Sequence, residues 1–355
     1  FFFKQKTAYE MCGRDWSSDV CSSDLLLAAA APEVTPNSVR IVALDGLAGP
    51  CPDRATQVAA LRAAAEALTE AAAAGGWQPA ARALQALSEV SPAEAATFVP
   101  AFARHDSPFV RGYAARAAAT TGDRAQLIEL ARDDSFNVRT AALNGLASIE
   151  APEAVEVALE ALESDDPQLL MAAARVLEDH GGAADAAPAL WRSFERISAA
   201  RRETWRDARR ALLSTFAAVG TSDTAEQLTP YLSDYDPRVA QDVQDILLRW
   251  TGRREVAEPQ PLEPLPLPTA DQFRALRHAS VVLHMAHGGT IEIQLAPYEA
   301  TTNVWRFVRL VRAGYFDGLT FHRWEPNFVI QGGSPGANEY TGDTYFMRDE
   351  VGLQD

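Results

Sequence analysis

One twelve-residue stretch of this chain recurs 99 residues further on with seven identical positions, and this recurrence constrains the fold more than any other feature. "NSVRIVALDGLA" begins at Asn37 and "FNVRTAALNGLA" begins at Phe136, with seven positions in step. The offset equals three units of about 33 residues, a period typical of stacked supersecondary repeats. Weaker copies begin at four other positions: Asp106, Asp165, Trp205 and Asp234.

Each copy has the chemistry of short paired helices. Apolar residues recur at helical spacing, and the many alanines allow helices to approach closely. Asp166–Pro167 and Asp236–Pro237 are typical helix starts, because the carboxylate accepts from free backbone N–H groups and proline has no N–H to leave unpaired. Glycines such as Gly122 and Gly252 are typical helix ends. We therefore interpret the acidic residues as helix caps rather than as catalytic or metal-binding groups.

The pattern resembles the short bacterial variety of HEAT repeats, whose core reads V-R-x-x-A-A-x-A-L. The resemblance covers roughly residues 34–254, and we assign residues 26–254 to this domain. It implies an α-solenoid whose long surface binds a protein partner. Bilin lyases contain similar repeats, but nothing in the chain indicates pigment chemistry.

Residues 1–25 are set apart from this pattern. "FFFKQKTAYEMCGRDWSSDVCSSDL" has neither helical nor strand periodicity, and it lacks the charged start and apolar run of a signal peptide. It resembles a translated sequencing adapter, so we expect a disordered artefact; the alternative is a disordered native N-terminus. Excluding it removes Cys12 and Cys21 and leaves Cys51 alone, which cannot form an internal disulfide.

The charge balance excludes two classes of partner. The formal net charge is −16, whereas nucleic acids and anionic membrane surfaces require a basic protein surface. No run of eighteen apolar residues is present, so we predict no membrane span.

The character of the chain changes after residue 254. "EVAEPQPLEPLPLPTAD" places a proline at nearly every second or third position, which favours extended polyproline II and forbids helix. We interpret residues 255–272 as a semi-rigid linker, followed by a second domain over residues 273–355.

The second domain begins with a period of two. "VVLHMAHGGTIEIQL" predicts a β-hairpin with a Gly-Gly turn. "TTNVWRFVRLVRAGYFDG" predicts an amphipathic helix with Thr302 as its N-cap and Arg306, Arg309 and Arg312 in solvent. Two further strands are expected at Leu319–Trp324 and Phe328–Gln331.

This order of elements, with "AP" at Ala296–Pro297, "AGYFDG" and then "FHRWEPNFVIQGG", resembles the first half of a cyclophilin-type peptidyl-prolyl cis-trans isomerase. The resemblance begins near Ser280. It implies an incomplete cyclophilin-like β-barrel, mainly β with one helix, following the α-solenoid. Trp324–Glu325 and Asn327 depart from the usual pattern of the family without removing a catalytic side chain.

The resemblance also implies the roles of particular residues. Arg323, Phe328 and Gln331 correspond to catalytic positions, and His322, Val329 and Gly332 to substrate-binding positions. Rotation about an X–Pro bond makes no covalent bond, so it requires no metal and no cofactor. A guanidinium can instead donate to the proline nitrogen as amide resonance is lost.

We therefore expect a peptidyl-prolyl isomerase that acts on proline-containing client proteins, with the repeats binding a protein partner. The 355-residue chain itself is expected to be inactive, because half of the family's pocket is not in it. The alternative is a non-catalytic scaffold whose cyclophilin-like domain only binds proline-containing segments. Bacterial proteins of this architecture are often exported, which favours the periplasm over the cytoplasm.

Overall fold

The computed structural model describes residues 22–31, 37–68, 76–180, 183–286, 288–325, 328–347 and 349–350. The artefact interpretation of residues 1–25 therefore falls largely outside the described residues. Its last four residues, 22–25, lie in a helix over Ser22–Ala30 where disorder was expected. Leu26 and Leu27 of that helix pack against the core of the repeats, which explains why the helix forms.

Two layers of helices make up most of the described residues between 22 and 251. The front layer contains seven helices: α2 (Asn37–Gly46), α4 (Trp77–Val90), α7 (Pro108–Thr121), α9 (Phe136–Ser148), α11 (Pro167–Asp179), α13 (Arg206–Val219) and α15 (Pro237–Thr251). The back layer contains the helices that precede them: α1 (Ser22–Ala30), α3 (Arg54–Glu66), α6 (Val99–Ala103), α8 (Arg124–Leu130), α10 (Glu153–Ala161), α12 (Ala183–Ala199) and α14 (Ala225–Leu228). A short helix α5 (Pro92–Ala96) connects α4 to α6. Each front helix packs on the next front helix and on the back helix before it, which confirms the predicted α-solenoid.

Local chemistry places these helices where the repeat predicted them. The two copies of the strongest motif form α2 and α9, which begin at Asn37 and Phe136. Asp166 caps α11 by accepting from the Leu169 amide at 3.0 Å, and Asp236 caps α15 in the same way. Gly145 lets α9 approach α7, since an added Cβ would lie 3.1 Å from the Cβ of Ala119.

One buried ion pair strengthens the C-terminal end of the solenoid. Arg209 of α13 is fully buried and donates to both carboxylate oxygens of Asp234. Its guanidinium also lies 4.4 Å from the ring centre of Tyr235. Because a buried charge without a partner is costly, this pair fixes the turn before α15 against α13.

The proline-rich segment follows the surface of the solenoid at its start. The amide of Glu258 donates to the carbonyl of Leu232 at 2.9 Å, and the amide of Gln260 donates to that of Asp234 at 3.0 Å. No helix or strand interrupts residues 252–269, as the alternating prolines predict.

The C-terminal part contains two short sheets and two helices. Its elements are α16 (Ala270–Ala275), β1 (Ser280–His284), β2 (Thr290–Gln294), α17 (Thr301–Arg312), β3 (Phe321–Glu325) and β4 (Val329–Gly332). Strands β1 and β2 form one antiparallel pair and β3 and β4 another. Leu276, Val304 and Val308 form a small core beneath them. The predicted hairpin is confirmed, and both turn glycines, Gly288 and Gly289, have positive φ.

Two expectations about α17 are wrong. The N-cap is Ala300 rather than Thr302, and the carboxylate of Glu350 accepts from the amides of Thr302 and Asn303 at 3.0 and 2.9 Å. Arg306 is not in solvent, because it is only 9% exposed and pairs with Asp343. Both differences arise from residues nearly forty or more positions away, which helical periodicity cannot reveal.

Residues 334–346, which we call the docking segment, lie across the N-terminal ends of α9, α11 and α13. Asp166, at the start of α11, accepts from the side chains of Asn338 and Thr341 at 2.9 and 3.0 Å. The amide of Glu203, just before α13, donates to the carbonyl of Thr344 at 2.8 Å. The second domain is thus attached to the solenoid by polar contacts as well as by the linker.

No helix in the described part of the chain combines the length and the hydropathy of a membrane span.

Candidate substrate site

The arginine and the glutamine singled out in the sequence lie side by side on paired strands. In the antiparallel register of β3 and β4, Arg323 faces Gln331 and Glu325 faces Val329. Nη1 of Arg323 lies 3.5 Å from Oε1 of Gln331. A register irregularity between Phe321 and Arg323 separates this pairing from that of Phe321 with Gly332. The structure therefore brings Arg323 and Gln331 onto one face of the hairpin.

Arg323 also carries two carboxylate contacts. Its Nη1 lies 2.9 Å from Oε1 of Glu339, and its Nε lies 3.7 Å from Oε1 of Glu325. The side chains of Arg323 and Glu339 remain 41% and 46% exposed. Exposed ion pairs contribute only about 0–1 kcal/mol, so the contact between Arg323 and Glu339 can be broken at small cost.

The other predicted site residues lie around this pair without enclosing a pocket. Phe328 occupies the turn before β4 and is 68% exposed. Val329 is half-buried at the start of β4. Gly332 permits a close backbone approach, because an added Cβ would lie 3.0 Å from the carbonyl oxygen of Thr320. Pro326 and Asn327, which join the two strands, lie outside the described residues.

His322 lies next to Arg323 on β3 and is half-buried. Neither ring nitrogen has a hydrogen-bond partner among the described residues, although both are shielded from solvent. Burial lowers the pKa of His322 below its usual value of 6.5, and the opposing effect of Glu339 does not outweigh it. The imidazole is therefore neutral at pH 7, which leaves Arg323 as the cation of this strand.

Sequence reasoning missed Glu339. This residue lies in the irregular stretch "SPGANEYTGDTYF", which has no strand or helix period from which a contact could be inferred. Its contact with Arg323 spans sixteen positions and depends on the path that the docking segment takes along the solenoid.

Comparison with known proteins identifies both parts of the chain. Residues 280–352 match the family model described as cyclophilin type peptidyl-prolyl cis-trans isomerase/CLD, and residues 124–204 match that of HEAT repeats. Over 66 residues the chain is 41% identical to peptidyl-prolyl cis-trans isomerase CYP57 of Arabidopsis thaliana, covering 19% of this chain and 13% of that protein. Over 64 residues it is 43% identical to peptidyl-prolyl cis-trans isomerase B of Bacillus subtilis, covering 18% of this chain and 45% of that protein.

The chain thus spans less than half the length of these relatives. Among solved structures, a crystal structure of an engineered protein covers 63% of this chain at 20% identity, with a TM-score of 0.38 that is too low to bear on the fold. Residues 124–204 thus match HEAT repeats and residues 280–352 match the cyclophilin type, as the sequence motifs predicted.

Proposed function

We propose that residues 280–352 belong to a peptidyl-prolyl cis-trans isomerase domain, with Arg323 as the hydrogen-bond donor to the proline nitrogen. Gln331 orients Arg323 or the substrate backbone, and Phe328 contacts the proline ring. His322, Val329 and Gly332 contribute to the surrounding substrate surface. The clients are proteins that contain proline in an accessible, extended segment.

The observation that carries this proposal is the pairing of Arg323 with Gln331 across β3 and β4, within a region that matches the isomerase family. An arginine that faces solvent alone on a strand would indicate only a solvated charge. Here its planar donor group is held near a carboxamide on the neighbouring strand, with Nη1 and Oε1 3.5 Å apart. This arrangement presents a fixed donor to a bound imide.

The energetic demand on such a site is modest. The barrier to rotation is about 18–20 kcal/mol, and isomerisation without a catalyst takes tens of seconds. To shorten this time to milliseconds, the site must lower the rotational barrier by about 5–6 kcal/mol. A preorganised donor of this kind typically contributes about 2.7–4 kcal/mol, so Arg323 supplies roughly half of the demand and contacts to the ring supply the rest.

We further propose that the HEAT repeats recruit clients and hold the isomerase region in a defined orientation. The hydrogen bonds between Asp166 and the docking segment support a fixed orientation. The half-buried aromatic side chains of the front layer support recruitment, because part of each ring surface remains accessible.

The decisive experiment is an isomerisation assay on the whole product of the gene with Arg323 replaced by alanine. We expect kcat/KM to fall by about 100- to 1,000-fold, because one charged donor is lost. Arg309→Ala is the matched control, since Arg309 is an exposed arginine on α17 outside the site. Equal activity of the two variants would refute the catalytic role of Arg323.

The 355-residue chain is proposed to be inactive by itself. Its described strands form two separate two-stranded sheets, and Phe328 is 68% exposed, so no closed pocket immobilises a proline ring. Catalysis by this chain that disappears in Arg323→Ala would contradict this part of the proposal.

One observation favours a second candidate, a scaffold that only binds proline-containing segments. The contact of Glu339 with Arg323 occupies Nη1 of the proposed donor. Because the pair is exposed, its loss should change kcat/KM by no more than about five-fold. A whole protein that stays inactive even as Glu339→Gln, yet still binds proline peptides, would support the scaffold.

A further inference from the structure

A groove of about 1070 Å³ lies between the front layer of the solenoid and strand β3. Helices α4, α7 and α9 form one wall, and residues Gly318–Trp324 with the start of the docking segment form the other. Its volume is at the upper end of the range of about 300–1,000 Å³ for ligand pockets. Because Arg323 lines it, the groove is continuous with the candidate substrate site.

Three aromatic rings on the solenoid line this groove. Trp77 begins α4, and Phe109 and Tyr113 lie one turn apart on α7. The rings of Trp77 and Phe109 stack with centres 5.8 Å apart and planes 7° apart, and Trp77 and Tyr113 are 6.3 Å apart. All three are half-buried, so part of each ring surface faces the groove. Aromatic-lined grooves are a recurring means of binding extended proline-containing chains.

The charges along the groove are positive in an acidic protein. Three arginines and one glutamate line it, although the formal net charge of the chain is −16. Arg82 pairs with Asp45 at 3.3 Å and Arg323 with Glu339 at 2.9 Å. Arg116 is exposed and stacks 4.7 Å from the ring centre of Tyr113, and within the described part of the chain no carboxylate pairs with it. This guanidinium is held in place by the ring and is available to an anionic group of a bound chain.

We propose that this groove binds the part of a client chain that flanks the proline presented to Arg323, and that it selects extended segments with an acidic residue opposite Arg116. The inference rests on the proposed function, since it assigns the substrate class of the same site. Aromatic rings contact the prolyl and neighbouring side chains, and Arg116 pairs with the carboxylate. The solenoid is then a specificity element for the isomerase region as well as its support.

Gly112 of α7 provides a way to close the groove without disturbing the helix. It lies on the groove wall and is buried, yet an added Cβ would meet no atom within 4 Å. A leucine at this position therefore extends into the open space. Leucine also has a higher helix propensity than glycine, so the fold should be retained.

The test measures binding of fluorescein-labelled peptides to the whole 355-residue chain by anisotropy, which needs no catalysis. Four peptides share an extended sequence: one with aspartates beside a central proline, one with asparagines, one with lysines, and one with aspartates but alanine in place of proline. We expect the acidic proline peptide to bind at least about ten-fold more tightly than each of the others.

Arg116→Glu should remove this preference and favour the lysine peptide, whereas Arg132→Glu should not, because Arg132 is an exposed arginine outside the groove. Gly112→Leu should weaken binding of every proline peptide. Three outcomes would each overturn the proposal. They are equal binding of the acidic and neutral peptides, equal effects of the two arginine variants, and tighter binding of a nucleic-acid probe, single-stranded oligouridine, than of the acidic proline peptide. None of these outcomes depends on isomerisation. The Arg323→Ala assay tests the proposed catalysis independently, so the two proposals can fail separately.

Discussion

One buried carboxylate of the solenoid holds the middle of the docking segment, and this makes a sharp prediction. Asp166 is 4% exposed and divides its two oxygens between two tasks. Oδ1 caps α11 by accepting from the Leu169 amide, and Oδ2 accepts from Asn338 and Thr341 of the docking segment. Asp166→Asn retains an oxygen for the cap and places an amide group opposite the donor of Asn338.

Asn338 cannot relieve this conflict by rotating its amide. Its Oδ1 already accepts from the amides of Tyr340 and Thr341 at 3.0 and 2.9 Å. Hydrogen bonds to a charged group contribute about 1.5–3 kcal/mol each, so we expect Asp166→Asn to weaken docking by at least about 2 kcal/mol. That energy corresponds to an increase of roughly 30-fold in the open population. Asp166→Ala should add about 1 kcal/mol of destabilisation at α11 through loss of the cap.

Hydrogen exchange measured by mass spectrometry on the full chain tests this reasoning. Two backbone amides donate across the interface: that of Phe346 to a carboxylate oxygen of Glu203, and that of Glu203 to the carbonyl of Thr344. Both amides should exchange faster in Asp166→Asn. Asp123→Asn is the matched control, since Asp123 caps α8 and, in the described part of the chain, forms no hydrogen bond with the docking segment. Unchanged protection of residues 334–346 in Asp166→Asn would refute the role assigned to this carboxylate.

Three further predictions concern packing and pH. Gly145→Ala should lower the midpoint of urea unfolding, because the close contact of the added Cβ with Ala119 costs about 1–3 kcal/mol. Gly112→Ala should raise the midpoint, because alanine has a helix propensity about 1 kcal/mol more favourable than glycine and its Cβ meets no atom. Equal shifts of the two midpoints would contradict the packing argument. Burial raises the pKa of Tyr235 to about 12, so the folded state binds its proton more tightly than the unfolded state, and stability should decline as the pH rises from about 10 toward 12. Absorbance titration together with unfolding measurements should show that Tyr235→Phe removes the part of this decline that Tyr235 contributes. Loss of a group titrating near pH 10, rather than near 12, in that variant would be inconsistent with burial of Tyr235. Burial acts to raise the pKa of Glu350, but hydrogen bonds from the amides of Asn303 and Thr302 outweigh it and hold that pKa below 4.5. The stability that Glu350 adds is therefore present above about pH 4.5 and lost as the pH falls through its lowered folded-state pKa, and acid unfolding of Glu350→Gln should lack this component.

Periodicity predicted the helical repeat and the hairpins because both depend on local residue patterns. The helices that begin at Asn37 and Phe136 follow from the spacing of their apolar residues. The caps at Asp166 and Asp236 follow from side chains within a few positions of the backbone groups that they satisfy. The same reasoning failed for Arg306 and Thr302. Their partners, Asp343 and Glu350, lie in a stretch without periodicity, nearly forty or more positions away.

The candidate site, too, was predicted only where the features are local in the sequence. The motif around Arg323 and Gln331 implied their roles through resemblance, and the register of β3 and β4 in the structure places the two residues opposite one another. Nothing in the sequence indicated Glu339 beside Arg323, nor the groove that joins Arg323 to Trp77 and Arg116. These neighbours are set by where the docking segment crosses the solenoid.

The sequence by itself determined the α-solenoid, the proline-rich segment and the hairpin that presents Arg323, because helix caps, helical spacing and strand alternation act over a few residues. Only the tertiary structure decided how the two parts meet. Hydrogen bonds such as that from Asn338 to Asp166 join residues 172 positions apart, and no local pattern in either segment encodes its partner. The groove and its charge exist only because those distant contacts bring β3 to the front layer of the repeats.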